Sequence, residues 1–270
     1  MMNNLIVIPN KKKEINTILS YNIKGIILGV KSLSTYELEF DIDDIIDIAN
    51  NTDKEIIIAM NRMIHNKDLT LVKEVLEKVE NSNIKKIMFY DLGVFNLIKE
   101  LNISKELIIA QDHLNASISS NHFYYDRGIT NSYITSDITF DEISDIKKYS
   151  NMNIYYTVYG YLPIFYSRRS LLTNYFKYIE KDIEDDKYYI FNKDLKYMIK
   201  EKEYGTIIYS PLVNLINEID NIENIINPVI DLSYTDDISI IDKFVNKENM
   251  DNTYTGFFNI ETTYKLKNDK

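Results

Sequence analysis

Glu55-Ile-Ile-Ile-Ala-Met-Asn61, Leu69-Thr-Leu-Val-Lys-Glu-Val-Leu-Glu-Lys-Val-Glu-Asn81 and Ile84-Lys-Lys-Ile-Met-Phe-Tyr90 follow one another in a single stretch of the chain. The first and third are short, nearly unbroken apolar runs, the pattern of strands buried on both faces. The second sets Leu69, Val72, Leu76 and Val79 at helical spacing. Strand, helix and strand in this form predict a parallel βαβ unit, because parallel neighbours need a long crossover and the crossover helices cover both sheet faces.

The same rhythm extends outward in both directions. Upstream it predicts strands at Leu5–Ile8 and Ile23–Val30 with helices at Lys11–Tyr21 and Ile42–Asn51. Downstream it predicts a helix at Val94–Glu100, a strand at Leu107–Gln111, a helix at Ala116–Asp126 and a strand at Ser132–Thr135. A capping box, Thr139 to Glu142, starts a helix at Thr139–Tyr149, and Ile154–Tyr159 is a seventh strand. Residues 161–210 break the rhythm with a run rich in Tyr and charge. They read as an insertion with short strands at Tyr188–Phe191 and Thr206–Tyr209. A helix at Leu212–Ile219, an eighth strand at Val229–Leu232 and a helix at Ile238–Val245 complete the count, and Tyr254–Leu266 reads as a hairpin or edge strand. Eight βα units favour a closed (β/α)8 TIM-barrel-like α/β fold over residues 1–250, with a β tail at 251–270.

Composition narrows the function classes. Gly (7) and Pro (4) are scarce, so turns rest on Asn, Asp and Ser. A net charge of −10 does not by itself advertise nucleic-acid binding, which calls for a basic surface or a partner that supplies one. The chain has no cysteine, which excludes disulfides, thiolate metal sites, a cysteine nucleophile and a cysteine-ligated iron–sulfur cluster in this chain. No cofactor is predicted, and a divalent metal stays open. Leu5–Ile8 is too short for a signal-peptide core, and no run reaches membrane-spanning length, so the expected location is the cytoplasm, with no membrane partner. The two common glycine-rich nucleotide loops are missing.

In a barrel, polar residues at the carboxyl ends of strands line the functional face. That rule selects Asn61, Asp91, Gln111, Asp112, His113, Asp137, Tyr159, Gly160 and Asp231. Asn61 and Asp91 serve equally well as helix caps. The three histidines, His65, His113 and His122, form no helical metal-binding pair.

The segment Tyr155-Tyr-Thr-Val-Tyr-Gly-Tyr-Leu-Pro-Ile-Phe-Tyr-Ser-Arg-Arg-Ser-Leu-Leu-Thr173 resembles the signature of the U32, or collagenase-like, peptidase family. Laid without a gap on that signature, its first glycine is Gly160 and its aliphatic position is Leu162. The two cysteine positions are Pro163 and Ser170, and the final serine position is Thr173. Ser167, Arg169, Leu171 and Leu172 also fit common family residues, while Tyr155 stands for the glutamate and Arg168 for the second glycine. Tyr90-Asp-Leu-Gly93 resembles the family's Asp-x-Gly helix start. Gln111 to Asn115 with Phe123 and Gly128-Ile129, Ser136-Asp-Ile-Thr139 with Glu142-Ile143, Gly205–Ser210, and Thr255-Gly-Phe-Phe258 with Thr263-Tyr-Lys265 resemble further family segments in the family's order. These are short bacterial members.

The resemblance implies two roles, and the Tyr-rich composition adds a third. The first is a cluster-free partner in tRNA wobble-uridine hydroxylation, working with a larger paralogue that carries an iron–sulfur cluster and reaching tRNA through it. Arg168 and Arg169 would then contact an anion or phosphate, since guanidinium forks pair with oxyanions. The second is a peptidase of unknown mechanism, for which the residues offer Ser167 and Ser170 without an obvious base, or a metal cluster of Asp91, Asp112 and His113. The third is a non-catalytic scaffold whose Tyr-rich segment 155–189 meets a partner.

Overall fold

The computed structural model describes residues 4–111, 114–185 and 187–260. Its strands are β1 (Ile6–Ile8), β2 (Gly25–Val30), β3 (Glu39–Phe40), β4 (Glu55–Met60), β5 (Lys86–Phe89), β6 (Glu106–Ala110), β7 (Asn131–Tyr133), β8 (Asn153–Ser167), β9 (Tyr188–Asn192), β10 (Leu195–Lys202), β11 (Gly205–Asn214) and β12 (Ile226–Asp231). Helices α1 (Ile15–Ser20), α2 (Ile42–Asn50), α3 (Leu69–Glu80), α4 (Leu92–Glu100), α5 (Ile118–Tyr125) and α6 (Phe140–Ser150) fill the crossovers. They are followed by α7 (Leu171–Tyr178), α8 (Ile219–Ile222) and α9 (Ile240–Asn246).

Strands β1, β2, β4, β5, β6, β7 and β8 pair in parallel, each with the next, and β12 pairs in parallel with both β1 and β8. That last pairing closes the sheet into the eight-stranded barrel predicted from the rhythm. Alternate residues divide between two cores, as the period of a strand requires. Ile8, Ile27, Ile57, Met88, Ile108, Tyr155 and Val229 fill the interior, while Val7, Ile26, Ile58, Ile87, Ile109, Ile154 and Ile230 meet the helices.

The floor of the barrel is polar and closed. The Lys86 ammonium donates to the Tyr155 hydroxyl at 3.0 Å and pairs with Glu55 at 3.3 Å and Glu106 at 3.2 Å. Burial alone would lower the Lys86 pKa, but Tyr155, Glu55 and Glu106 together hold it above its ordinary value. Burial pushes the Tyr155 phenol up to about 12. Tyr155, which stands at the signature glutamate position, therefore bonds the floor lysine.

The insertion is an extension of the barrel sheet. The first part of β8 lies between β7 and β12, and the second part leaves the barrel and pairs antiparallel with β11. β10 and β9 follow as further antiparallel strands. The expected helix at Leu212–Ile219 is corrected: Leu212–Asn214 end β11, and only Ile219–Ile222 is α-helical. The helical spacing of Leu212, Leu215, Ile216 and Ile219 is real, but β8 offers a free edge that pairs Leu212 with Tyr161 and Asn214 with Tyr159. Pro211 sits where the register shifts, the place a sheet tolerates a residue without an N–H. The strands expected at Tyr188–Phe191 and Thr206–Tyr209 are longer, with β10 between them.

The extension is fastened over the loop that follows β2. Glu37 pairs with Lys200 at 3.3 Å and Lys202 at 3.0 Å, and the Tyr204 hydroxyl donates to the Thr35 carbonyl at 3.1 Å. Within the tail, residues 251–260 form turns and bends, and Thr263 with the rest of the expected hairpin lies outside the described residues. No helix among the described residues is long and apolar enough to cross a membrane.

Candidate functional site at the barrel mouth

β8 changes partners at Gly160, and the change shapes the site. A bulge between Val229 and Ile230 opposite Val158 advances β8 by one residue, so Val158 and Tyr159 both face the helix layer. Gly160 follows with φ of +143°, a conformation that L side chains rarely adopt. A Cβ there would lie 2.8 Å from both Cβ and the carbonyl oxygen of Asp231. Glycine thus lets β8 cross the end of β12 at close range and carry Tyr161 and Pro163 over the barrel opening.

The opening forms a small concave pocket that is open to solvent. Met88 and Ala110 form its apolar base at the ends of β5 and β6. Thr157 of β8 and Tyr133 of β7 join their hydroxyls at 2.6 Å on one wall. Tyr209 of β11 and Tyr234 bond hydroxyl to hydroxyl at 3.0 Å on another, with ring centroids 4.9 Å apart. Burial, followed by the neighbouring Tyr209, raises the Tyr234 phenol well above its ordinary value, so it stays protonated. Thr35 and Tyr36 close the side towards the β2 loop, and Tyr161 and Pro163 lie above.

Asp231 is the carboxylate lining this mouth. Its Oδ1 accepts the Ser233 N–H at 2.8 Å, and burial pushes its carboxyl up to about 6, with Ser233 offsetting part of the rise. The Ser233 hydroxyl is buried without a hydrogen-bond partner in the same wall. A carboxyl whose pKa is raised towards neutral pH and an unengaged hydroxyl among tyrosines can hold a polar planar ligand and exchange a proton with it.

The residues selected from strand ends divide sharply. Asn61 reaches the mouth, and its side chain also organises the β2 loop: it accepts from Ser34 Oγ at 2.7 Å and the Thr35 N–H at 3.1 Å, and donates to Thr35 Oγ1 at 3.0 Å. Pro163 and Asp231 reach it as well. Asp91 instead caps α4 through the Gly93 N–H at 2.8 Å and accepts from the Ile64 N–H at 3.1 Å. Gln111 is buried, donating to the Tyr90 carbonyl at 3.4 Å and accepting the Tyr124 hydroxyl at 2.8 Å. Asn115 is fully buried between Ser132 and Asn121. Asp137 accepts from Thr135 Oγ1 at 3.3 Å and borders a small pocket with Tyr156 and the 254–257 turn. Tyr159 is turned by the bulge against Phe244, at 6.3 Å between centroids, which removes it from the opening. Asp112 and His113 lie outside the described residues. Among the described residues no three His, Asp or Glu side chains converge as a metal site.

The signature positions are spread along β8 and beyond it. Pro163 faces the mouth, whereas Ser170 precedes α7 without a side-chain cap, because Glu201 of β10 takes the Leu172 N–H at 2.8 Å and the Thr173 hydroxyl. Ser167 Oγ accepts the Arg169 N–H at 3.3 Å. Arg168 touches His65, and Arg169 is exposed with its carbonyl accepting Thr206 Oγ1 at 2.8 Å. With no cysteine in the chain, these residues do not fit a thiolate-held iron–sulfur cluster. Tyr36, Tyr133, Thr157, Tyr161, Tyr209, Ser233 and Tyr234 escaped the sequence reading. Thr157 and Tyr133 were within reach by strand parity, but Tyr209 comes from the antiparallel extension, whose docking no local pattern announces.

Comparison with known proteins agrees with this architecture. The family model for Peptidase family U32 matches residues 10–205. The protein named "tRNA hydroxylation protein P2" from Bacillus subtilis (strain 168) is 27% identical over 199 residues, covering 71% of this chain and 64% of that protein. The match thus spans less than two thirds of that relative's length. A solved structure of a U32 peptidase superposes with a TM-score of 0.54 at 9% identity, over 85% of this chain and 92% of the other, a likeness of fold. With the family model matched over most of its length, the chain belongs to peptidase family U32.

Proposed function

We propose that this chain takes part in tRNA hydroxylation as a cluster-free U32 component, presenting a uridine base of the tRNA in its barrel mouth. The observation that carries the reading is the likeness to the Bacillus subtilis tRNA hydroxylation protein together with a mouth walled by tyrosines and hydroxyls. A base extruded from its stack is held by aromatic faces and by hydrogen bonds to its polar edge. Tyr161, Tyr209 and Tyr234 supply the faces, while Ser233 and Asp231 supply a donor and a group that gives or takes a proton. Oxygen insertion falls to a larger, cluster-bearing U32 partner, since this chain holds no cysteine. A cytoplasmic location belongs to the same proposal.

Among the described residues, no feature of the mouth favours peptide hydrolysis instead. His65 lies against Arg168, and His122 bonds the Tyr149 carbonyl, so neither stands beside Ser233 to activate it. The test is nucleoside mass spectrometry of tRNA from the source organism with the gene deleted. Loss of 5-hydroxyuridine-derived nucleosides, restored by the wild-type gene, is expected. An unchanged nucleoside profile overturns the proposal.

A further inference from the structure

Beside the mouth, a second cleft of about 610 Å³ opens between the loop after β4 and the β10–β11 turn. It begins where the mouth ends: Asn61 lines the one and Arg62 the other, and Tyr204, which walls the cleft, bonds the carbonyl of mouth residue Thr35. Its chemistry differs from that of the mouth. Arg62, His65 and Lys67 line it, and Arg168 reaches it from the end of β8 to lie against His65.

Carboxylates offset part of this charge, Asp68 facing both Arg62 and Lys67. Asp68 is occupied, accepting Arg62 Nη2 at 3.1 Å and the His65 N–H at 3.1 Å. Glu203 lines the far wall, and Glu39 stands behind it, accepting the Ser32 N–H at 3.4 Å and facing Lys202 as well as Arg62. Arg62 is more than nine-tenths buried, yet its Nε has no hydrogen-bond partner. The Arg168 guanidinium meets the imidazole of another basic residue rather than a carboxylate. Tyr166, whose hydroxyl donates to the Tyr204 carbonyl at 3.3 Å, lies within electrostatic reach of both arginines. On a chain of net charge −10, basic side chains set side by side call for an outside anion.

We propose that the cleft of Arg62, His65, Lys67 and Arg168 binds an oxyanion, the backbone phosphate of an RNA whose base enters the adjoining mouth. The choice of RNA rests on the function proposed above; the anion site itself does not. Arg62, held by Asp68 and preoriented by burial, is the anchor. Lys67 and Arg168 are exposed and close on the phosphate from outside.

The test compares the full chain with the double variant Lys67→Ala, Arg168→Ala, both surface changes. A fluorescent tRNA anticodon stem-loop is titrated by anisotropy across a series of salt concentrations. Binding is expected to weaken about tenfold in the variant, and the slope of log affinity against log salt to shrink by about 0.7, the value for one single-strand phosphate. Tyr234→Leu, in the mouth, should weaken binding with the slope unchanged. Inorganic phosphate is titrated in parallel, read as the rise in unfolding temperature. If the RNA binds and the double variant changes neither affinity nor slope, the cleft proposal is overturned while the tRNA reading stands. If no RNA binds but phosphate stabilises the wild type and not the variant, the site takes a free anion and the RNA assignment is overturned. If neither ligand distinguishes the two proteins, no anion site exists there.

Discussion

Replacing Asp231 by Asn tests the electrostatics of the mouth directly. Folding lifts this carboxyl from an ordinary 3.8 to about 6, with burial as the main cause. Between those values the folded protein keeps a proton that the unfolded chain has released. The contribution to stability is therefore complete below pH 3.8 and is lost as the pH rises through about 6. The full span corresponds to about 3 kcal/mol, at about 1.36 kcal/mol for each pH unit of displacement. About 2 kcal/mol of it falls between about pH 4.5 and about pH 7.5. Asparagine removes the titration while retaining an oxygen for the Ser233 N–H. Relative to wild type, Asp231→Asn should thus gain about 2 kcal/mol of stability on going from the lower pH to the higher. Urea unfolding followed by far-ultraviolet circular dichroism measures this, since the chain has no tryptophan to report by fluorescence. Parallel stability–pH curves for the two proteins would refute the claim that the mouth desolvates Asp231.

Gly160→Ala should destabilise by at least about 2 kcal/mol or prevent folding, because it adds a positive-φ strain to a contact with Asp231; soluble yield and unfolding temperature report it. Lys86→Met should cost about 2 kcal/mol at neutral pH by removing the hydrogen-bonded counter-ion of the largely buried Glu55, while Lys24 still faces both glutamates; thermal unfolding measures the loss, and an unchanged unfolding temperature excludes it. Lys200→Met should loosen the extension, because Lys200 is one of the ties to Glu37; faster limited proteolysis within residues 161–214 is expected, and an unchanged cleavage rate counts against that fastening.

The barrel was legible because its strands are buried on both faces. Runs such as Ile56-Ile-Ile-Ala-Met60 can hardly be anything else once helices of correct spacing separate them. The rule that strand ends carry the functional face found Asn61 and Asp231, whose parity follows from Ile57 and Ala59, and from Val229. It failed at Tyr159 for a stated reason: the bulge opposite Val158 breaks the parity that Tyr155 and Thr157 establish. It also picked Gln111 and Asn115, which satisfy buried hydrogen bonds and so are polar for structural reasons. Arg168 was selected for anion contact, and the structure sets it against His65 beside Arg62. The partner residues could not be read from the sequence, because the approach of β8 to the β4 loop is a long-range contact.

One strand serves both the barrel and its cover, and this has a consequence for how the mouth is specified. Tyr155 and Thr157 face the interior, the bulge spends one residue, and Gly160 turns the chain so that Tyr161 and Pro163 line the opening from above. Without the bulge, Tyr159 would point into the mouth and the residues beyond Gly160 would exchange faces. The glycine is needed because the strand must pass Asp231 at the point where the bulge brings it closest. Bulge, glycine and buried carboxylate are therefore one device. The contact that forces a glycine at 160 also packs protein around the Asp231 carboxyl, and that enclosure is what moves its titration towards neutral pH. The backbone geometry of this segment does not depend on thiol chemistry: Pro163 and Ser170 stand at the signature's two cysteine positions, and the strand crossing at Gly160 builds the mouth without them.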